Sequence, residues 1–416
     1  MNLYRKPENF LIRLAEKISF FVGSFFVWEK SVQISTRKGL ALIGIVSALL
    51  LFLTWAVYPK DSADVADFIS VSEKTDIKTG ISVKEGFVPG PISMEKMKTK
   101  GCVADGILSG YGEDTENSVA MVNRSNCVYL HRALETWKSP PDFEKAREII
   151  KKIEKPEVIY GMFIAEAIDK KADFRYEEGE RDFEFSKMCR LGTDNVWGEH
   201  TCKPTFAKKE YRRYLKQVTR QAMDAGIQSF LFGQIYYQDE SRKDNEDLAE
   251  ILADMRGYAR KKDMQIAIGA QTGDITDEEY LRQFDYIEGG VGIGDDGKIE
   301  DGPCWSHLES CWALLWNEKY REKASNVFLH LDWSGLKFDD MSVFARMGKK
   351  ERIGTVGYLY NYFTSQDMGF LMPLMATINK ENGGCYGPKK RFYSASDEYK
   401  CQDENGINAI LESSRK

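Results

Sequence analysis

Three carboxylates, Glu166, Glu288 and Asp332, each stand near the end of a short apolar run, and paired groups of this kind can do acid–base chemistry. A carboxyl with a raised pKa can protonate a leaving oxygen while an ionised neighbour acts as nucleophile or base, the division of labour that breaks a glycosidic bond. The candidate pairs are Glu288 with Asp332 and Glu166 with Glu288, and spacing does not choose between them. Gln234, Gln271, His330, Trp333, Tyr236 and Tyr360 are the candidate substrate-binding groups, polar or aromatic side chains able to orient a sugar or stack on it.

Strand parity is what brings these residues together. In NVFLHLDW (326–333) the set Val327, Leu329 and Leu331 suits a helix-covered face, which turns Phe328, His330 and Asp332 the other way. A barrel interior does not need His and Asp for packing. The same alternation groups Met162, Ile164 and Glu166, then Phe232, Gln234 and Tyr236, then Ala267, Gly269 and Gln271. A single buried carboxylate of this sort can simply be paired with an arginine. Several converging on the ends of successive strands are harder to explain as packing.

The elements that must hold them follow from hydrophobic periodicity. Strand-like runs fall at 102–109, 158–167, 228–237, 265–271, 284–292, 326–333, 354–362 and 391–396. Helical segments fall at 114–137, 143–153, 208–225, 244–261, 277–283, 307–323, 338–348 and 368–380, with a closing helix from residue 403. Eight strands alternating with helices predict an α/β fold of the (β/α)8 TIM-like kind over residues 97–416, with an open doubly wound sheet as the alternative. The polar strand-end residues then lie on the C-terminal rim, where active sites of such barrels form.

In architecture the chain resembles the glycoside-hydrolase-like (β/α)8 barrels, through the strand-end segments FIAEA, YIEGG and HLDWSG. That resemblance implies a carbohydrate-active barrel with Glu166, Glu288 and Asp332 as its catalytic groups and a polysaccharide or other glycan as its partner. In the large clan of such hydrolases an Asn-Glu pair ends strand four and another Glu ends strand seven. The sequence reading places Gln271 and Tyr360-Asn361 there, a departure from that pattern.

Residues 39–58, GLALIGIVSALLLFLTWAVY, are twenty residues without a charge, long enough as a helix to cross the roughly 30 Å hydrocarbon layer. Arg5, Lys6, Arg13, Lys17, Lys30, Arg37 and Lys38 precede this stretch, whereas Asp61, Asp64 and Asp67 follow it. The positive-inside rule predicts an uncleaved signal anchor, single-pass in the cell membrane, with a cytoplasmic segment 1–38 and a C-terminal domain outside. Residues 18–28 of the first segment are too short to span and read as an interfacial amphipathic helix or a small cytoplasmic one. Residues 59–96 read as a juxtamembrane spacer.

All eight cysteines follow the expected span, which agrees with an oxidising compartment. Neighbour pairing predicts Cys102 with Cys127, Cys189 with Cys202, Cys304 with Cys311 and Cys385 with Cys401, among 105 connectivities. Metal ligation by Cys304, His307 and Cys311, or by His200 and Cys202, is the rival reading, but no CxxC or HExxH supports it. No cofactor is expected. A net charge of −6 gives no footprint for nucleic acid. The leading expectation is a membrane-anchored protein acting on envelope or extracellular polysaccharide. A non-catalytic glycan-binding barrel and a scaffold of a surface assembly are the alternatives.

Overall fold

The computed structural model describes residues 89–240, 246–273, 275, 277–300, 321–333, 339–378 and 384–413. Its framework is a parallel sheet of β1 (Gly101–Ala104), β2 (Tyr129–Glu135), β3 (Ile159–Ile164), β4 (Ile227–Phe232), β5 (Ala267–Ala270), β6 (Tyr286–Gly290), β7 (Val327–His330), β8 (Gly369–Phe370) and β9 (Met372–Thr377). Each strand pairs with the next in chain order through β8, while β9 pairs with β1, Cys102 lying opposite Met372. Only Leu371 separates β8 from β9. The sheet therefore curls until first and last strands meet, leaving no free edge on the parallel run. A final strand, β10 (Phe392–Ser394), adds antiparallel to β9.

Strands β3, β4 and β6 are buried along their whole length, as strands covered on both faces must be. Helices form the outer layer by amphipathic spacing. In Lys209–Asp224 the buried residues Tyr211, Tyr214, Leu215, Val218 and Ala222 recur every three or four positions. Asp114 and Asp142 cap the helices Thr115–Arg124 and Phe143–Ile150 by accepting from the amides of Asn117 and Lys145. At the N-terminal end of the sheet, Ile92 donates its amide to Gln265 and Gln228 donates to the carbonyl of Gly90. Those bonds hold the segment before β1 across the strand starts.

Three expectations are corrected. Residues 129–135, expected inside a helix over 114–137, form β2. Residues 354–362, expected as a strand, belong to the helix Lys349–Thr364, whose buried Arg352, Thr355, Val356, Leu359, Tyr360 and Phe363 follow helical spacing. The 368–380 segment, expected as a helix with a strand over 368–376 as the alternative, supplies β8 and β9. Six of the eight expected strands are therefore parallel strands of the sheet, β2, β8 and β9 are added to them, and the expected strand 391–396 is the antiparallel β10.

Disulfides join Cys102 to Cys127, Cys189 to Cys202 and Cys385 to Cys401, as neighbour pairing predicts. Cys304 and Cys311 lie outside the described residues, as do the expected span 39–58 and most of the spacer. No helix among the described residues is long and apolar enough to cross a membrane.

Candidate active site

The C-terminal rim gathers Asp105 just after β1, Glu135 at the end of β2, Glu166 two residues past β3, Gln234 two past β4, Gln271 one past β5 and Asp332 two past β7. Glu288 sits within β6 and lies deeper, completely buried. Two histidines enclose it. His131 Nε2 is 3.2 Å from Glu288 Oε1, and His330 Nδ1 is 2.7 Å from the same oxygen, a charge contact and not an aligned hydrogen bond. His330 Nε2 reaches Asp332 Oδ1 at 3.2 Å. On the inner side, the Tyr129 hydroxyl lies 2.8 Å from His131 Nδ1 and 3.0 Å from Ser229, which in turn lies 2.9 Å from the Tyr286 hydroxyl.

Charge states in this chain follow from its partners. Burial alone would strip His330 of its proton, but Glu288 and Asp332 outweigh burial and push its pKa up to about 10. Burial would likewise raise Glu288, yet His330 and His131 drive it well below the ordinary carboxylate range. Burial lowers His131 against the pull of Glu288. A consistent assignment is a neutral His131 donating from Nε2 to Glu288 and accepting from Tyr129 at Nδ1, and a doubly protonated His330 between two carboxylates. Glu288 thus holds a cation against Asp332.

A second cluster surrounds Arg132. Its Nε lies 3.3 Å from Asp105 and its guanidinium 3.2 Å from Glu135, and it stacks 4.2 Å above the ring of Phe163. The backbone makes this possible through a bulge in β2: Leu130 to Leu134 opposes only Tyr160 to Met162, and Arg132 takes a φ of 56°. Burial pushes Glu135 up to about 7 against the pull of Arg132.

Glu166 is also buried, and burial pushes it up to about 7, with Arg132 and Lys203 opposing and the Asp332 charge adding to the rise. Its Oε2 has no hydrogen-bond partner. The carboxyl rests against Gly233, where a Cβ would come within 2.5 Å of Oε2. Asp340 secures the rim beneath Asp332: its carboxyl accepts from the amides of Val291, Gly292, Ile293 and Asp332 at 2.8–3.2 Å. Burial still raises Asp340 to about 6.

The remaining expected residues divide. Gln234, held at a φ of 34°, donates its amide to the Gln271 side chain at 3.2 Å and accepts from the Tyr236 hydroxyl at 3.2 Å, so these three form one wall. Trp333 is half-buried on the core with its indole N–H unpartnered. Tyr360 is corrected: it is buried in the helix Lys349–Thr364 and donates its hydroxyl to the carbonyl of Thr99, just before β1. That contact is at the N-terminal end, away from the rim.

The sequence reading missed Asp105, His131, Arg132, Glu135 and Asp340. His131, Arg132 and Glu135 share one cause, since all three lie in β2, whereas Asp105 follows β1. Without β2 there was no strand to give Tyr129 and His131 a common face, although their two-residue spacing carries that signal. With β2 restored, strand four becomes Ile227–Phe232, ending toward Gly233 and Gln234, and strand seven becomes Val327–His330, ending toward Asp332. The clan's Asn-Glu pair is still missing from strand four, while strand seven now leads to a carboxylate.

No family profile and no curated protein matches the sequence. Among solved structures the chain is similar in outline to a GH113 β-1,4-mannanase, at 12% identity and a TM-score of 0.43 over 76% of this chain and 98% of that one. It is similar to the ligand-free cyclic α-maltosyl-(1→6)-maltose hydrolase from Arthrobacter globiformis, at 11% identity and a TM-score of 0.44 over 80% and 79%. A GH27 β-L-arabinopyranosidase from Geobacillus stearothermophilus gives 10% identity and a TM-score of 0.40 over 67% and 73%. These are likenesses of architecture.

Proposed function

We propose that the protein is a glycan-cleaving hydrolase in which Glu166 is the general acid and Asp332 the carboxylate that attacks the anomeric carbon or activates water. The observation that carries this reading is the contrast between two carboxyl groups on one rim. Glu166 holds its proton to about pH 7 and has an unpartnered oxygen, whereas Asp332 faces an imidazolium. Glu135 has a similarly raised pKa but is tied to Arg132, which makes it the poorer proton donor. Glu288, completely buried, acts through His330 and is a positioning residue. Gln234, Gln271, Tyr236 and Trp333 orient the sugar.

The N-terminal charge asymmetry and the three disulfides support a chain anchored by residues 39–58 and displaying this domain outside the membrane, on envelope or extracellular polysaccharide. The test is release of reducing ends from a panel of polysaccharides by wild type, Glu166→Gln and Asp332→Asn. Each amide variant is expected to lose about 10²- to 10⁴-fold in kcat while still binding glycan. Cleavage unchanged in either variant would remove that residue from the pair. Glycan binding without cleavage by wild type would make the domain a binding module.

A further inference from the structure

Beside Glu166, the long segment after β3 carries a feature that acid–base chemistry does not use. A short backbone ladder holds it: Lys138 bridges Ile168, and Ile168 pairs with Cys202, which is disulfide-bonded to Cys189. Lys138 therefore stands two rungs, roughly 10 Å at ordinary strand spacing, from Cys202, the residue before Lys203. The adjacent residues Trp197 and Gly198 lie near Lys203 and Lys138 respectively. The Lys138 Nζ is 3.4 Å from where a Cβ on Gly198 would stand, and the Lys203 Nζ is 5.7 Å from the Trp197 ring centre and 3.0 Å from that of Tyr237. The Trp137 ring is tilted against Trp197 at 5.8 Å.

Among the described residues, neither ammonium has a carboxylate within ion-pair distance. Their neighbours do: Lys170 pairs with Asp194, and Arg190 lies 2.8 Å from Glu240. Both lysines are half-buried, and burial pushes Lys203 down to about 8 despite the nearby charge of Glu166. Arg391 adds positive charge near Lys138, and Asp169 opposes it. Two half-buried lysines without a contacting carboxylate, beside the rings of Trp197 and Tyr237, suit an anion carried on a flat apolar ring.

We infer that Lys138 and Lys203, with Trp137 and Trp197, form a subsite for an acidic sugar, a carboxylate-bearing pyranose, adjoining the catalytic rim. The rim itself is ringed by Asp105, Glu135, Glu166 and Asp332, so the anionic unit sits on the flank and not over the reacting bond. This inference rests on the glycan reading of the site and names its substrate class.

The experiment measures binding of the full chain to oligosaccharides of glucuronate, galacturonate and mannuronate, each beside its carboxyl-reduced neutral form. At least one acidic form should bind about tenfold or more tightly than its neutral partner, and the preference should shrink as salt rises. Lys138→Met and Lys203→Met keep the aliphatic stems and should each cut the preference severalfold with little change in neutral binding, while Lys203→Arg retains it. The inference is overturned if no acidic form is preferred, or if both methionine variants keep the preference. Because binding is read apart from turnover, a preference without cleavage would fail the hydrolase reading and leave this one standing. Cleavage of neutral glycans without preference would do the reverse.

Discussion

Glu288 and Glu166 are both buried carboxyl groups of the same sheet, yet their surroundings drive them in opposite directions. Around Glu288 the strands supply two imidazoles, and the group is held ionised in the middle of the barrel. Around Glu166 the strands supply the ring of Phe163 and the bare Cα of Gly233, and the group keeps its proton. Burial is common to both, so burial does not decide charge. Between these two the difference is the imidazolium in contact with Glu288, although Glu135, raised to about 7 beside Arg132, shows that one contacting cation need not outweigh burial. One region holds a fixed negative charge beside an imidazolium, and the other holds a protonated carboxyl group.

The largest expected effect comes from removing the cation. His330→Ala leaves Glu288 ionised and unpaired in the core, which costs about 3–5 kcal/mol of stability. The double variant His330→Ala, Glu288→Gln should recover a good part of that loss, because the orphaned charge is gone. Denaturant unfolding of the two proteins reads the difference. A single variant that loses less than about 1 kcal/mol would mean that Glu288 is not held by charge.

A smaller effect separates the two regions by pH. Glu166 binds its proton more tightly folded than unfolded, so its contribution to stability is complete below pH 4.5 and is lost as pH rises through about 7. With a shift of this size, the loss is on the order of 3 kcal/mol. Glu288 has the opposite sign: its contribution is present above the ordinary carboxylate pKa and disappears as pH falls. His330 contributes below pH 6.5 and loses its part as pH rises through about 10. Glu166→Gln should therefore flatten the stability curve between pH 4.5 and 8, and if the proposed hydrolysis is observed it should remove the alkaline limb of its pH profile near pH 7. Parallel curves for variant and wild type would show that Glu166 is ionised in the fold.

How legible this was differed between the two regions. HLDW and FIAEA announced themselves because an apolar alternation with a stray His, Asp or Glu is a strand carrying chemistry. YLHRALE did not, since Leu, Arg, Ala and Glu are strong helix formers and only the tertiary setting of β2 between β1 and β3 overrides them. GTVGYLYNY erred the other way. Its β-branched and aromatic residues favour a strand, but burial of Thr355, Val356, Leu359, Tyr360 and Phe363 follows a helical face once Arg352 is counted in. Tyr360 was lost from the site for that reason. Arg132 was invisible for a different one, because a bulge re-aims side chains and no alternation rule anticipates it.

The smallest effect asks whether the inner end of the Glu288 network acts on the outer end. Tyr129→Phe removes one hydroxyl, which lies against His131 Nδ1, Ser229 and Tyr286, and leaves the Ser229–Tyr286 bond intact. Loss of one buried hydrogen bond of this kind costs about 1 kcal/mol. The more telling consequence is chemical. Without the tyrosine proton, His131 Nδ1 has no donor, and the tautomer that places hydrogen on Nε2 toward Glu288 loses its reason. If the network is a single unit, nitrogen chemical shifts of His131 will report a mixture of tautomers, and the His330 pKa will fall as Glu288 is less well held. If the rings are merely packed, the shifts will stay as in wild type, and Glu288 will hold His330 without help from the barrel interior.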